Sequence, residues 1–139
     1  MGKGGSPTVD EFHVTMTHAF PFQFHRRRQN HYGGEPAGLV IRMPGGFTIY
    51  HAGDTALFSD MKLIGELYKP DLAMLPMGDH FTMGPRDAAH AIRFLGVKHV
   101  VPMHYATFPV LSGAPDALRA ESKDIAGFEI HALKPGESL

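Results

Sequence analysis

Three predicted strands are each followed directly by carboxylate or imidazole side chains. His51 and Asp54 follow the first of these strands, Asp79 and His80 follow the second, and His104 follows the third. The carboxyl ends of neighbouring strands meet at one edge of an α/β sheet, which is where such sheets place their ligands. Imidazole nitrogens and carboxylate oxygens that converge there are the donors that a divalent cation needs. The spacing therefore indicates a metal site, although separated strand ends are a less specific signal than a local His-x-x-x-His motif.

Apolar patterning predicts the elements that would position these groups. Helices are predicted from apolar spacing and from flanking Pro and Gly residues at 58–68, 85–95 and 116–123. Strands are predicted at 12–17, 37–43, 47–50, 72–76, 99–103 and 128–133, and a turn at 44–46 joins the second and third strands as a hairpin. From residue 57 onward helices and strands alternate, which predicts an α/β fold.

Composition narrows the class of protein. A chain of 139 residues, 43% of them hydrophobic, can form one compact domain with a core. Cysteine is absent, so only histidine nitrogens and carboxylate oxygens could hold a metal, and a reducing, cytoplasmic location is expected. No apolar stretch approaches the roughly 20 residues of a membrane helix, so no membrane partner is expected. The formal net charge of −1 gives no indication of nucleic-acid binding.

Three segments together carry a family resemblance. They read TIYHAGDT at 48–55, PMGDHFTMGP at 76–85 and VPMHYATFP at 101–109. They are similar to the uncharacterised metal-dependent hydrolase group of the metallo-β-lactamase superfamily, and the match is strongest over residues 35–139. The resemblance implies one partial domain over residues 1–139, the C-terminal part of an αββα sandwich. It also implies a dinuclear site for divalent metal, usually zinc.

The same resemblance implies roles for single residues. Asp54 matches the carboxylate that bridges both metals, and His104 matches the last histidine ligand. Asp79 resembles a residue near the site that orients ligands or water, so it joins Asp54 as a catalytic candidate. His51 is expected to be a hydrogen-bond partner of the metal-binding side chains, and His80 is either a second such partner or an ordinary loop residue. The implied reaction is hydrolysis of an ester, amide or phosphodiester by metal-activated water, on an unknown small-molecule substrate.

Two departures from the family pattern concern the remaining ligands. The family's His-x-His-x-Asp-His motif lies in its N-terminal half and is absent here. A second family histidine, in a segment like Ala-Phe-His-Ser, is replaced by Pro21. Residues 21–34 form an atypical loop, and a local frameshift or true divergence would both produce it. His18 is the expected substitute ligand, with His25 as an alternative.

These departures leave three interpretations of the chain open. In the first, the chain is a hydrolase that is completed by a complementary N-terminal half or by forming a homo-oligomer. In the second, it is a truncated and catalytically inactive fragment. In the third, it is an interaction module. The basic run Arg26-Arg27-Arg28 could bind phosphate or RNA, but three arginines on a loop are more often solvated surface. Of the three interpretations we expect the hydrolase, and we do not expect it to bind nucleic acid.

Overall fold

Seven strands and three helices lie within residues 2–20 and 35–139, the part of the chain that the computed structural model describes. The strands are β1 (Thr8–Val9), β2 (Phe12–His18), β3 (Ala37–Arg42), β4 (Thr48–His51), β5 (Leu72–Pro76), β6 (His99–Met103) and β7 (Glu129–Ile130). The helices are α1 (Met61–Tyr68), α2 (Pro85–Leu95) and α3 (Pro115–Glu121). None of these helices has the length and apolar character that crossing a membrane requires. The predicted atypical loop at 21–34 lies outside the described residues.

The strands form one sheet in sequence order, from β1 to β7. Pairs from β1 to β4 are antiparallel, and pairs from β4 to β7 are parallel. A helix lies in each connection of the parallel half, because parallel neighbours need a crossover rather than a tight turn. The carboxyl ends of β4, β5 and β6 therefore lie at the same edge of the sheet, as the α/β pattern predicts.

Most predicted elements are confirmed to within two residues at each end, and the larger differences concern α1, β7 and β1. Helix α1 begins at Met61 rather than 58, because Met61 N–H donates to the Phe58 carbonyl and forms a tighter turn before the helix. Strand β7 is shorter than predicted, since the Leu133 N–H turns back to the His131 carbonyl. Strand β1 was missed because it is two exposed residues long.

One face of the sheet carries the core and the helices. The registers place Tyr50, Ala73 and Val100 on this face. Their neighbours in the core include Met61 and Ile92 from the helices. Alternate residues face the other way. Leu72 on this second face is buried, but most of its apolar side chains are only partly buried, among them Val14, Met16, Leu39, Ile41, Ile49, Met74, Val101 and Met103. The helices thus cover one face and leave an apolar second face half-exposed.

The Tyr50 side chain makes the stability of this core sensitive to high pH. It is fully buried, and burial raises the pKa of its hydroxyl to about 12 from 10.0. Thr17 lies beside the hydroxyl and partly opposes this rise, although the hydroxyl has no partner with hydrogen-bond geometry. As the pH rises, the Tyr50 hydroxyl ionises in the unfolded chain before it ionises in the folded chain. The contribution of the protonated hydroxyl to the free energy of unfolding is therefore complete below pH 10 and is lost as the pH rises through 12.

We therefore expect the free energy of unfolding to fall by about 1.4 kcal/mol between pH 9 and 11 because of Tyr50 alone. Urea unfolding at both pH values would measure this loss. Tyr50→Phe should remove that part of the pH dependence, whereas Tyr68→Phe on α1 should retain it. Equal pH dependence in both variants would contradict the assignment to Tyr50.

Candidate metal centre

Asp54 and His104 form the core of the candidate site. Asp54 lies in the loop after β4, and His104 follows β6 directly. Their Oδ2 and Nε2 atoms are 3.7 Å apart, with the side chains 65% and 28% exposed. Two donors on one tetrahedral zinc, with bonds of roughly 2.0–2.2 Å, lie about 3.3–3.5 Å apart. The pair therefore fits two ligands of one cation that remains open to solvent.

The backbone around these residues is unusual in conformation. Six non-glycine residues in the described part of the chain have positive φ, and four of them lie in the loops after β5 and β6. These four are Asp79 (68°), His80 (58°), His104 (55°) and Ala106 (60°). Residues other than glycine rarely adopt this region, and such strain is concentrated at functional sites. The His104 ring is thus held by a backbone that the surrounding structure constrains.

Close backbone packing provides that constraint. The Met77 N–H donates to the Met103 carbonyl (3.1 Å), and the Gly113 N–H donates to the Gly78 carbonyl (3.1 Å). A Cβ added at Gly78 would overlap the carbonyl oxygen of His104. Only glycine therefore allows the loop after β5 to lie against the backbone of His104.

The His51 ring is hydrogen-bonded to the backbone of the loop that carries Asp54. Its Nδ1 accepts a hydrogen bond from the Gly53 N–H (3.1 Å). An Nδ1 that accepts carries no proton, so the neutral ring has its proton on Nε2. His51 is therefore a hydrogen-bond donor through Nε2.

Asp79 is held in the loop after β5 by two hydrogen bonds. Its Oδ1 accepts from the His80 N–H (2.8 Å), and its Oδ2 accepts from the Ser112 hydroxyl (3.1 Å). The loop is joined to the segment after Asp54, because the Met83 N–H donates to the Thr55 carbonyl (3.1 Å). The exposed His80 ring packs edge-on against Phe81, with centroids 4.4 Å apart. Asp79 therefore has a fixed orientation beside the candidate centre, and His80 has the contacts of a surface loop residue.

His18 lies at the end of β2, beside the same edge. Its ring stacks on Phe20, with centroids 6.2 Å apart. Phe20 in turn is bonded to the segment after Asp54, since its N–H donates to Thr55 Oγ1 (2.9 Å) and its carbonyl accepts from the Ala56 N–H (2.6 Å).

The sequence placed all these residues at one edge, but only Asp54 and His104 come within ligand distance. Among residues 2–20 and 35–139, no third histidine or carboxylate donor lies within 4.8 Å of both. The alternative ligand His25 and the run at 26–28 lie outside the described residues. The described part of the chain thus supplies two candidate metal ligands, fewer than a complete metal site needs.

Sequence reasoning missed a second cluster, formed by His99, Glu129 and His131. No motif or spacing in the sequence links His99 with His131. The signal that could have found the cluster is the register of two parallel strands, which apolar periodicity does not reveal.

Comparison with protein families matches residues 1–105 to the Beta-lactamase superfamily domain. Two similar proteins are named UPF0173 metal-dependent hydrolases. The one from Rubrobacter xylanophilus is 51% identical over 100% of this chain and 59% of its own length. The one from Chloroflexus aurantiacus is 48% identical over 99% of this chain and 57% of its own length.

A solved structure is similar along the whole chain. It is that of Igni18, described as a novel metallo hydrolase from the archaeon Ignicoccus hospitalis. It has 33% sequence identity and a TM-score of 0.85, and the alignment covers 100% of this chain and 58% of Igni18. The chain therefore spans about three fifths of the length of the relatives it matches.

Proposed function

This chain belongs to the beta-lactamase superfamily, and we propose that it forms part of a metal-dependent hydrolase whose cation is bound by Asp54 and His104. The observation that carries this proposal is the 3.7 Å separation of Asp54 Oδ2 and His104 Nε2 at one sheet edge. The names of the relatives and of Igni18 support the same reaction class. Because the relatives match 99–100% of the chain, the hydrolase is favoured over the inactive fragment or interaction module.

Zinc or a similar divalent cation, when bound, would polarise the substrate and make a bound water acidic enough to be a nucleophile at neutral pH. Asp54 would contribute its carboxylate, and its exposure leaves the second oxygen accessible to a second cation. His104 would bind through Nε2, the ring nitrogen that faces Asp54. A dinuclear zinc site is the form that the family resemblance implies, and we include it in the proposal.

The neighbouring polar groups would position these ligands and the water. His51 would donate from Nε2, because its Nδ1 is engaged by the Gly53 N–H. Asp79 would orient water or a ligand, since the Ser112 hydroxyl fixes its carboxylate while leaving lone pairs available. Loss of such outer partners typically lowers metal affinity or activity by about 10–100-fold.

An active zinc site normally has three protein ligands, so the proposal requires at least one more. His18 is the candidate within the described residues, because Phe20 connects its strand end to Thr55. About two fifths of the length of the relatives lies outside this match. We propose that a complementary N-terminal half, or a second copy of this chain, provides the other ligands. The substrate class is a small ester, amide or phosphodiester in the cytoplasm.

Metal content tests this function directly. The chain would be purified without chelator, and zinc, manganese and iron per chain would be measured by elemental analysis. We expect Asp54→Ala/His104→Ala to lose about one equivalent or more relative to the wild type, because both proposed ligands are removed. Asp60→Ala/His90→Ala is the matched control, since it removes the same residue types at the N-cap of α1 and on α2. Equal metal content in the wild type and in Asp54→Ala/His104→Ala would refute the proposal.

A further inference from the structure

Three metal-binding residue types meet at the amino-terminal ends of β6 and β7. His99 and Glu129 begin these strands and are paired directly in the parallel register. His131 lies two residues after Glu129, so its side chain leaves the same face of the sheet. Val100 and Ile130, which alternate with them, pack into the core on the helix side. The three side chains therefore share the face that the helices leave open.

Their donor atoms are close enough to share one ion. His99 Nδ1 and His131 Nε2 are 3.1 Å apart, and His131 Nε2 is 3.9 Å from Glu129 Oε2. All three donor atoms lie within 4.8 Å of one another. These separations bracket the spacing of about 3.3–3.5 Å that two ligands of tetrahedral zinc adopt. A change of well under an ångström in each side chain would complete the geometry.

The backbone holds the cluster in place without metal. The Glu129 N–H donates to the Lys98 carbonyl (2.8 Å), and the His131 N–H donates to the Val100 carbonyl (2.8 Å). The side chain of His131 is 13% exposed, whereas that of Glu129 is 70% exposed. The two imidazoles are thus pre-positioned, and the carboxylate lies on the solvent-exposed side of the site.

We propose that His99 Nδ1, His131 Nε2 and the Glu129 carboxylate bind a divalent transition-metal ion, with zinc the best match, in a second site. Two imidazoles and one carboxylate are a ligand set that borderline metals favour, and one tetrahedral position remains for water. Binding through these two nitrogens requires that neither carries a proton, so the ring that donates in their 3.1 Å hydrogen bond would hold its proton on its other nitrogen instead. Bound there, the ion fixes the two-residue strand β7 to β6.

This site is separate from the proposed hydrolytic centre. His99 is the first residue of β6, and His104 follows its last residue. The two residues are five positions apart along extended chain, a distance of roughly 16 Å. The second site therefore does not depend on the proposed function, and each can fail alone.

The test uses the full chain after chelator treatment and adds Co²⁺ or Zn²⁺ as the probe. In Asp54→Ala/His104→Ala, we expect about one equivalent of metal to bind still, with a rise in the thermal midpoint. Nitrogen NMR of the imidazoles should show changes at His99 Nδ1 and His131 Nε2. Absence of these changes during the titration would overturn the proposal.

Variants separate the site from fortuitous surface binding. Glu129→Gln and His131→Asn should each weaken metal binding at least tenfold. Glu121→Gln and His13→Asn, which change exposed residues elsewhere, should leave it unchanged. Glu129→Gln replaces an exposed side chain with one of nearly the same shape, so this variant is expected to fold. It can therefore test the site even if His131→Asn does not fold. Unchanged affinity in Glu129→Gln would show that these residues are not the ligands.

Discussion

Gly78→Ala is expected to lower the free energy of unfolding by about 3 kcal/mol, the upper end for overpacking a closely packed site. The added Cβ would overlap the backbone carbonyl oxygen of His104. A backbone atom cannot rotate away as a side chain can, so the loop after β5 or the His104 backbone must move. The His104 backbone has φ of 55°, and the His104 ring is attached to it. Movement of this backbone would therefore also displace the Nε2 atom that faces Asp54. Metal binding should therefore fall together with stability.

Urea unfolding and metal titration of Gly78→Ala would measure both effects. Gly84→Ala is the matched control in the same loop, because its Cβ would contact the Asp79 side chain at 3.4–3.6 Å, an ordinary distance. Gly84 has φ of −88°, which alanine also adopts. We expect the control to lose no more than about 1 kcal/mol. Equal losses in the two variants would mean that the His104 loop is not held by this contact.

The sequence was most informative where local signals and burial agree. Strands β5 and β6 have the predicted bounds because each is a short apolar run that ends at a polar loop. Helix α2 also has its predicted bounds, since Pro85 occupies its first turn and Gly96 ends it with φ of 64°. The position of Asp54 and His104 at one edge followed from these elements, and their 3.7 Å separation agrees with it.

What the sequence could not supply is register and fine geometry. His99 and His131 are separated by 31 residues, and only the pairing of β6 with β7 brings them together. The backbone is left-handed at Asp79 and His104, Gly78 lies against the His104 carbonyl, and Gly113 lies against the Met77 carbonyl, none of which a local sequence pattern indicates. The ligand set was predicted from the family resemblance, and the structure adds the 3.7 Å separation of Asp54 Oδ2 and His104 Nε2.

The half-exposed sheet face bears on how the hydrolase is completed. A face with eight apolar, partly buried side chains is larger than scattered surface apolar residues account for, and such faces mark interaction surfaces. The resemblance to an αββα sandwich implies that a second sheet covers it. A complementary half or a second copy of the chain would provide that sheet and, with it, the further ligands.

Leu75 and Met74, adjacent in β5, provide a direct measure of whether this face is covered. Leu75 is fully buried toward the helices, and Met74 lies half-buried on the opposite face. We expect Leu75→Ala to cost about 3 kcal/mol of unfolding free energy, because it leaves a cavity in the core. Met74→Ala should cost less than half as much in the isolated chain, since its neighbours on that face can relax toward solvent.

The same pair of variants, measured by urea unfolding over a range of chain concentrations, identifies the covering partner. If a second copy packs on the face, the cost of Met74→Ala should increase with chain concentration, because association stabilises the folded state. The cost of Leu75→Ala should stay nearly constant. A Met74→Ala cost as large as that of Leu75→Ala at every concentration would mean that the chain itself covers the face, and the proposed complementary half would then have no surface on which to pack.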